Sequence, residues 1–221
     1  EEFHQAMGWI SAATPITLIP GNHEYPYRRT LKGEYKIFHL WRPQFTLPEN
    51  GPAGLEETAY YIDYQGVRFV MLNGNEKIEE QAEWLNRILS GNRHDWTIVS
   101  IHQPVYSIPR HGKESKLRKH LAPVIEKHSV DLVLQGHDHI YSRSHKINNG
   151  SIAEKNKKGT VYVISVSGPK FYPESRTDEK LLAKTVKERQ LFHVISIEKN
   201  RLIFKAFDLT GEAADSFILE K

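Results

Sequence analysis

Cysteine is absent from the 221 residues, which excludes disulfides, thiolate metal ligands and a cysteine nucleophile and leaves the redox compartment open. No apolar run approaches twenty residues, so nothing in the sequence is long enough to span a bilayer as a helix, and no apolar leader segment stands at the start. Excess charge of one sign is missing too. The 30 Lys and Arg stand against 27 Asp and Glu, a formal net charge of +3. The two signs are mixed along the chain, so there is no block for a nucleic acid or an anionic membrane to hold. No repeat, linker or low-complexity stretch appears. What is present, 39% hydrophobic and 26% charged residues, is the composition of one globular domain with a sizeable core.

Local patterns predict α/β organisation. The apolar run 16–19, ITLI, stops at Pro20 and Gly21 and reads as a strand feeding a sharp turn. Residues 25–58 mix aromatic, Pro and Gly residues without period, a long loop with at most one helical turn. Residues 58–72 alternate around Gln65-Gly66 as a hairpin does. From Ile78 to Leu89, Ile78, Ala82, Leu85 and Leu89 fall on one helical face, with Glu79, Glu80 and Glu83 where carboxylates favour the helix dipole. The segment 95–104 predicts a strand running into His102 and halted by Pro104. A second amphipathic helix follows, carrying Leu117, Leu121, Val124 and Ile125. Residues 130–139 then make a buried strand, and after a polar loop over 144–159 come four more β-like runs, with a turn at Lys199-Asn200.

Three strands are thus predicted to end in metal-capable side chains: Asn22 and His23 after the first, His102 after the second, His137 and His139 after the third. Ligands carried on the carboxyl ends of neighbouring strands converge in space while lying far apart in sequence. Among 12 histidines each motif alone is weak, since a single histidine is more often a hydrogen-bonded surface or core residue. The order GNHE, H-x-P, GH-x-H, with strand signals before the motifs, is far more specific.

That ordered set, PGNHEY at 20–25, SIHQPVYS at 100–107, GHDHIYSR at 136–143 and VSGPKFY at 166–172, resembles the calcineurin-like metallophosphoesterases and, within them, the purple acid phosphatase branch. The resemblance covers nearly the whole chain and implies an α/β fold of two packed β-sheets flanked by helices. It implies a dinuclear centre in which Asn22, His102 and His137 bind one metal and His139 the other. His23 would face the substrate phosphate. A histidine nine residues beyond the His102 position, present in some relatives, falls here on His111, which equally reads as a residue of a polar loop. Neutral imidazole and amide oxygen suit divalent or mixed-valence Fe, Zn or Mn. Two such ions activate a shared water and neutralise phosphoryl charge.

Two further ligand motifs of that family, Asp-x-His and Gly-Asp, precede GNHE, and neither occurs anywhere in this sequence. With GNHE only about twenty residues in, and a start at EEFHQAMGWI without Met, residues 1–221 are expected to be the C-terminal portion of one metallophosphoesterase domain. The missing N-terminal segment would then be a partner in the site, and the isolated chain would be inactive. The expected substrate is a phosphorylated small molecule or other phosphoester, most simply a monoester. A phosphodiesterase or nucleotidase, or a non-catalytic module that keeps the fold, are the rival readings. The family favours a secreted or periplasmic location. Glu24 reads either as support for His23 or as a helix cap. Tyr141 and Arg143 read as support for the metal loop, as contacts to a phosphate, or as a solvated pair. Trp41, Phe45, Tyr60 and Tyr61 read either as the floor of a substrate pocket or, first, as plain packing.

Overall fold

The structure, a computed structural model, describes residues 2–25, 36–106, 115–155, 157–172 and 179–221. Three short helices come early: α1 (Glu2–Met7), α2 (Ile10–Ala13) and α3 (Trp41–Gln44). The chain then forms the expected hairpin, β1 (Tyr60–Tyr64) paired antiparallel with β2 (Val67–Leu72). Gln65 and Gly66 both take positive φ, 47° and 80°, the backbone that lets a two-residue turn match the twist of its strands.

From β2 the chain winds through α4 (Ile78–Ser90) to β3 (Trp96–Ile101), then through α5 (Lys116–Lys127) to β4 (Leu132–Gln135), and these three strands are parallel. Ser115 caps α5 by accepting from the Arg118 N–H at 3.1 Å, satisfying one of the donors a helix start leaves open. Next come β5 (Tyr141–Ser144), the small hairpin β6 (Ile147–Asn148) and β7 (Ser151–Ile152), β8 (Val161–Ile164) and β9 (Leu182–Val186). Together they complete a seven-stranded sheet in the order β1-β2-β3-β4-β8-β5-β9, with β6 and β7 apart. The antiparallel strands β10 (Leu191–Glu198), β11 (Arg201–Asp208) and β12 (Ala213–Glu220) form a second sheet.

Period-two alternation distributes the core. In β3, Val99 and Ile101 face α4 and α5, where Leu85, Leu121 and Ile125 are fully buried. Trp96 and Ile98 point the other way, against Leu202, Phe204 and Leu219 of the second sheet. The result is the expected α/β stack of two packed sheets, and the described helices α4 and α5 cover one outer face. Among the described residues no helix is long and apolar enough to cross a membrane.

The run 16–19 departs from its expectation: it joins no ladder. A strand exists only where a neighbour takes its hydrogen bonds, and here the Tyr60 hydroxyl takes that role, accepting from Leu18 N at 3.0 Å and donating to Leu18 O at 2.7 Å. The sequence patterns also left out β5, β9 and the helices before residue 14.

Candidate metal centre

The sharp turn after Pro20 is one turn of 3-10 helix, Asn22–Glu24. Glu24 closes it, its Oε2 accepting from Gly21 N at 2.7 Å, so this carboxylate is a cap. Gly21 keeps a close contact: a Cβ there would lie 3.1 Å from His102 Cε1 and 3.0 Å from Glu24 Oε2, so that a neighbour would have to give by a few tenths of an ångström. The turn is tied to the end of β2, where Asn75 Nδ2 donates to Gly21 O at 3.1 Å and to Asn73 Oδ1 at 3.1 Å. Tyr25 continues the support, donating to Glu76 at 2.6 Å and accepting from Asn73 Nδ2 at 2.6 Å. No motif in the sequence marks Asn73, Asn75 and Glu76 as supports, although a polar cluster directly after a buried strand is a faint signal of one.

His102 leaves the carboxyl end of β3, and His137 leaves the adjacent β4. Asn22 Oδ1 lies 3.0 Å from His102 Nε2 and 3.1 Å from His137 Nδ1, and the two rings meet at 5.3 Å, nearly perpendicular. Gly136 N donates to His102 O at 2.9 Å, locking the two loops together. Burial, and then the neighbouring His137, His23 and His139, push His102 down to about 4. Its imidazole is therefore neutral with a lone pair to offer.

His137 and His139 take left-handed backbone, φ 67° and 48°, a conformation costing about 1–2 kcal/mol in a residue with a Cβ. Asp138 between them is fully buried. This strained turn sends the two imidazoles different ways. His139 stays off the Asn22 contact: its Nδ1 meets Lys170 O at 3.1 Å and its ring lies 4.7 Å from Tyr172. His23 is exposed on the 3-10 turn, near enough for its charge to act on His102. His111 lies outside the described residues.

Tyr141 and Arg143 turn away from this centre. Tyr141 donates to Asp215 at 2.8 Å, and Arg143 grips the same carboxylate at 2.7 and 3.1 Å, pinning β5 to β12. Trp41 and Tyr60 are buried, as the packing reading expects.

Ligands bonded at about 2.1 Å stand about 3.4 Å apart in a tetrahedral shell and about 3 Å apart at right angles in an octahedral one, so the 3.0 and 3.1 Å between Asn22 Oδ1 and the imidazole nitrogens lie near either arrangement. One amide oxygen and two neutral imidazoles fit a borderline metal as part of a shell. His139 alone does not make a second shell. Among the described residues no group of three or more His, Cys, Asp or Glu stands where it could hold an ion.

The Calcineurin-like phosphoesterase family matches residues 2–141. Purple acid phosphatase 15 of Arabidopsis thaliana is 31% identical over 168 residues, covering 72% of this chain and 30% of the relative. Tartrate-resistant acid phosphatase type 5 of Homo sapiens is 34% identical over 101 residues, covering 46% of this chain and 28% of the relative. The solved purple acid phosphatase PPD1 from yellow lupin seeds superposes with a TM-score of 0.69 at 21% identity, covering 91% of this chain and 40% of that one. The chain spans about a third of the length of the curated relatives it matches.

Proposed function

This chain belongs to the calcineurin-like phosphoesterase family, and we propose that it forms part of a metal-dependent phosphomonoesterase of the purple acid phosphatase kind. The observation that carries the reading is the approach of Asn22 Oδ1 to His102 Nε2 and His137 Nδ1, at 3.0 and 3.1 Å. Asn22, His102 and His137 would hold one ion and His139 a second, with iron, zinc or manganese suited to the donors. Such ions, when bound, lower the pKa of a shared water and neutralise charge on the phosphoryl oxygens.

The chain's own residues then have distinct tasks. His102 Nε2 and His137 Nδ1 converge on the Asn22 amide oxygen, and Gly21 keeps the turn close against the His102 ring. His23 donates to a phosphoryl oxygen or holds the proton for the departing alkoxide. We infer that the remaining ligands, a bridging carboxylate among them, lie outside residues 1–221, which form the C-terminal portion of one domain. Relatives about two to two and a half times as long support this. The isolated chain is then inactive. A secreted or periplasmic location is proposed with the family.

The test is hydrolysis of an aryl monoester and an aryl diester by the full-length protein, alongside elemental analysis. Two ions per molecule and faster monoester turnover are expected. Turnover that persists in metal-free protein refutes the reading, and a diester preference moves it to a phosphodiesterase. Comparable turnover by the isolated 221 residues refutes the claim that ligands are missing.

A further inference from the structure

Gln135 ends β4, two positions before His137, and is buried although its side chain is polar. Its Oε1 accepts from Val105 N at 2.7 Å. A backbone N–H can only donate, so the amide must turn its oxygen toward Val105, and the orientation of the group is fixed. The backbone of Gln135 is held by the sheet, its O accepting from Ser165 N at 3.0 Å. One residue on, Gly136 N donates to His102 O at 2.9 Å. The loop that leaves β3 is therefore fastened at both His102 and Val105 by the two residues that lead into His137.

Two ties do what one cannot. A single hydrogen bond leaves a loop free to swing about it, whereas a second one, three residues further along, removes that rotation. Val105 is a firm anchor for the second. It is 1% exposed in the core that α4 and α5 cover, and Tyr106 beside it donates to the buried Glu126 at 2.6 Å. Between the two ties, Pro104 has no N–H to give, and Gln103 Nε2 donates to Asn75 Oδ1 at 2.7 Å. On the other side of the junction His137 takes φ 67°, a backbone that persists only where its surroundings hold it. Gln135 stands at the start of that turn.

We propose that Gln135 is a positioning residue for the metal centre: by fastening the start of the His137 turn to Val105, it fixes His137 Nδ1 relative to His102 Nε2. The affinity of the ion that these imidazoles share with Asn22 then depends on an amide that is not itself a ligand. The inference rests on the proposed function, in which Asn22, His102 and His137 hold one ion. Gln135 acts through both loops at once, because the bond to Val105 and the covalent link to His137 meet in one residue. Partners of this kind orient ligands, and their loss typically lowers metal affinity by about 10- to 100-fold. His139 is tied elsewhere, to Lys170 O, so the ion it would hold should feel the change far less.

The experiment titrates metal-free full-length protein with Co(II), whose visible absorption reports the geometry of its ligands, alongside urea unfolding. Gln135→Met keeps the length of the side chain and removes the acceptor. Gln135→Asn keeps the amide but withdraws it by one methylene, and it carries the test if Gln135→Met does not fold. Each is expected to bind one Co(II) at least about tenfold more weakly, with that ion's absorption band moved and the other ion within about twofold of wild type. Gln135→Glu, which keeps an oxygen facing Val105 N, should recover most of the loss. Tyr162→Phe, which removes a hydrogen bond to Glu126 in the same core, should lower stability and leave both ions unchanged. Wild-type affinity and absorption in the folded Gln135 variants overturn the inference and leave the proposed function standing. Equal weakening of both ions, or the same weakening in Tyr162→Phe, shows a general loss of stability and also overturns it. Wild-type protein that binds no Co(II) overturns the proposed function and the inference with it.

Discussion

The amide oxygen of Asn22 lies 3.0 Å from Nε2 of His102, although 80 positions separate the two in the chain. The same oxygen lies 3.1 Å from Nδ1 of His137, 115 positions away. Three loops therefore meet at one atom, two of them leaving adjacent parallel strands, β3 and β4. The sheet supplies the neighbourhood, and Gly21 and the left-handed His137 supply the final approach.

Replacing His102 and His23 separates ligand from substrate contact in the full-length protein. His102 is the single candidate donor from its loop, so His102→Ala should cost more than the roughly 10- to 100-fold in metal affinity typical of losing a supporting partner. His23→Ala leaves the Asn22 contacts whole, so metal content should stay near normal while kcat falls. Elemental analysis of both variants checks this. Equal metal loss shows that His23 is a ligand, and full metal with full activity in His102→Ala removes His102 from the centre.

Gly21→Ala tests the approach itself. Its Cβ would stand 3.1 and 3.2 Å from two carbons of the His102 ring, so the ring must shift by a few tenths of an ångström. A misplaced ligand weakens metal binding far more than it weakens the fold. Metal affinity is expected to drop about tenfold, with less than about 1 kcal/mol lost from unfolding stability. Unchanged metal affinity would mean that the turn relaxes freely.

Legibility followed the physics of each element. The β1–β2 hairpin and helices α4 and α5 were readable because their periodicities are intact and their turns carry the expected residues. Residues 16–19 misled because apolar content suits a strand, yet pairing decides one, and pairing is not a local property. β5, with the sequence YSRS, and the largely solvent-facing β9 carry no alternating signal and exist through their neighbours. The convergence of Asn22, His102 and His137 was readable from the order of their motifs, whereas His139 lies apart, against Lys170 O and Tyr172. The supports Asn73, Asn75 and Glu76 were not readable, because an amide or carboxylate in a turn looks alike whether it holds a site or meets solvent. The partner of Arg143, Asp215, lies 72 positions away with nothing in the local pattern to announce it.

Glu126 on α5 is a stability determinant remote from the metal centre. It is buried, and its carboxylate accepts from the Tyr106 hydroxyl at 2.6 Å, the Tyr162 hydroxyl at 3.3 Å and Gly150 N at 2.9 Å. Glu126→Ala leaves three donors without this acceptor inside the core and opens a void. A loss of about 3–5 kcal/mol is expected, against about half that for Glu126→Gln, which keeps an acceptor oxygen. Urea unfolding of both variants measures it, and equal losses would show that the carboxylate's charge matters and that neither side-chain volume nor a single retained acceptor oxygen does.

Acid stability should depend on two aspartates with opposite signs. Burial alone would raise the pKa of Asp215, but hydrogen bonds from Arg143 and Tyr141 outweigh it and hold the carboxyl below its ordinary value. Burial wins at Asp131 and raises it, despite the Thr97 N–H and Lys221 Nζ at 3.0 Å. A lowered native pKa gives stability that is complete above the unfolded value of about 3.9 and lost as pH falls through the native value. A raised native pKa does the reverse, contributing as the pH falls and costing stability once both states are ionised. Asp215→Asn should therefore lose about 1.5–3 kcal/mol at pH 7 and show a shallower decline between pH 5 and 3. Asp131→Asn should stay within about 1 kcal/mol of wild type at pH 7 and decline more steeply over the same range. Chemical unfolding at half-unit steps of pH measures both slopes. Parallel slopes in wild type and Asp215→Asn would show that the bond between β5 and β12 is not what acid breaks.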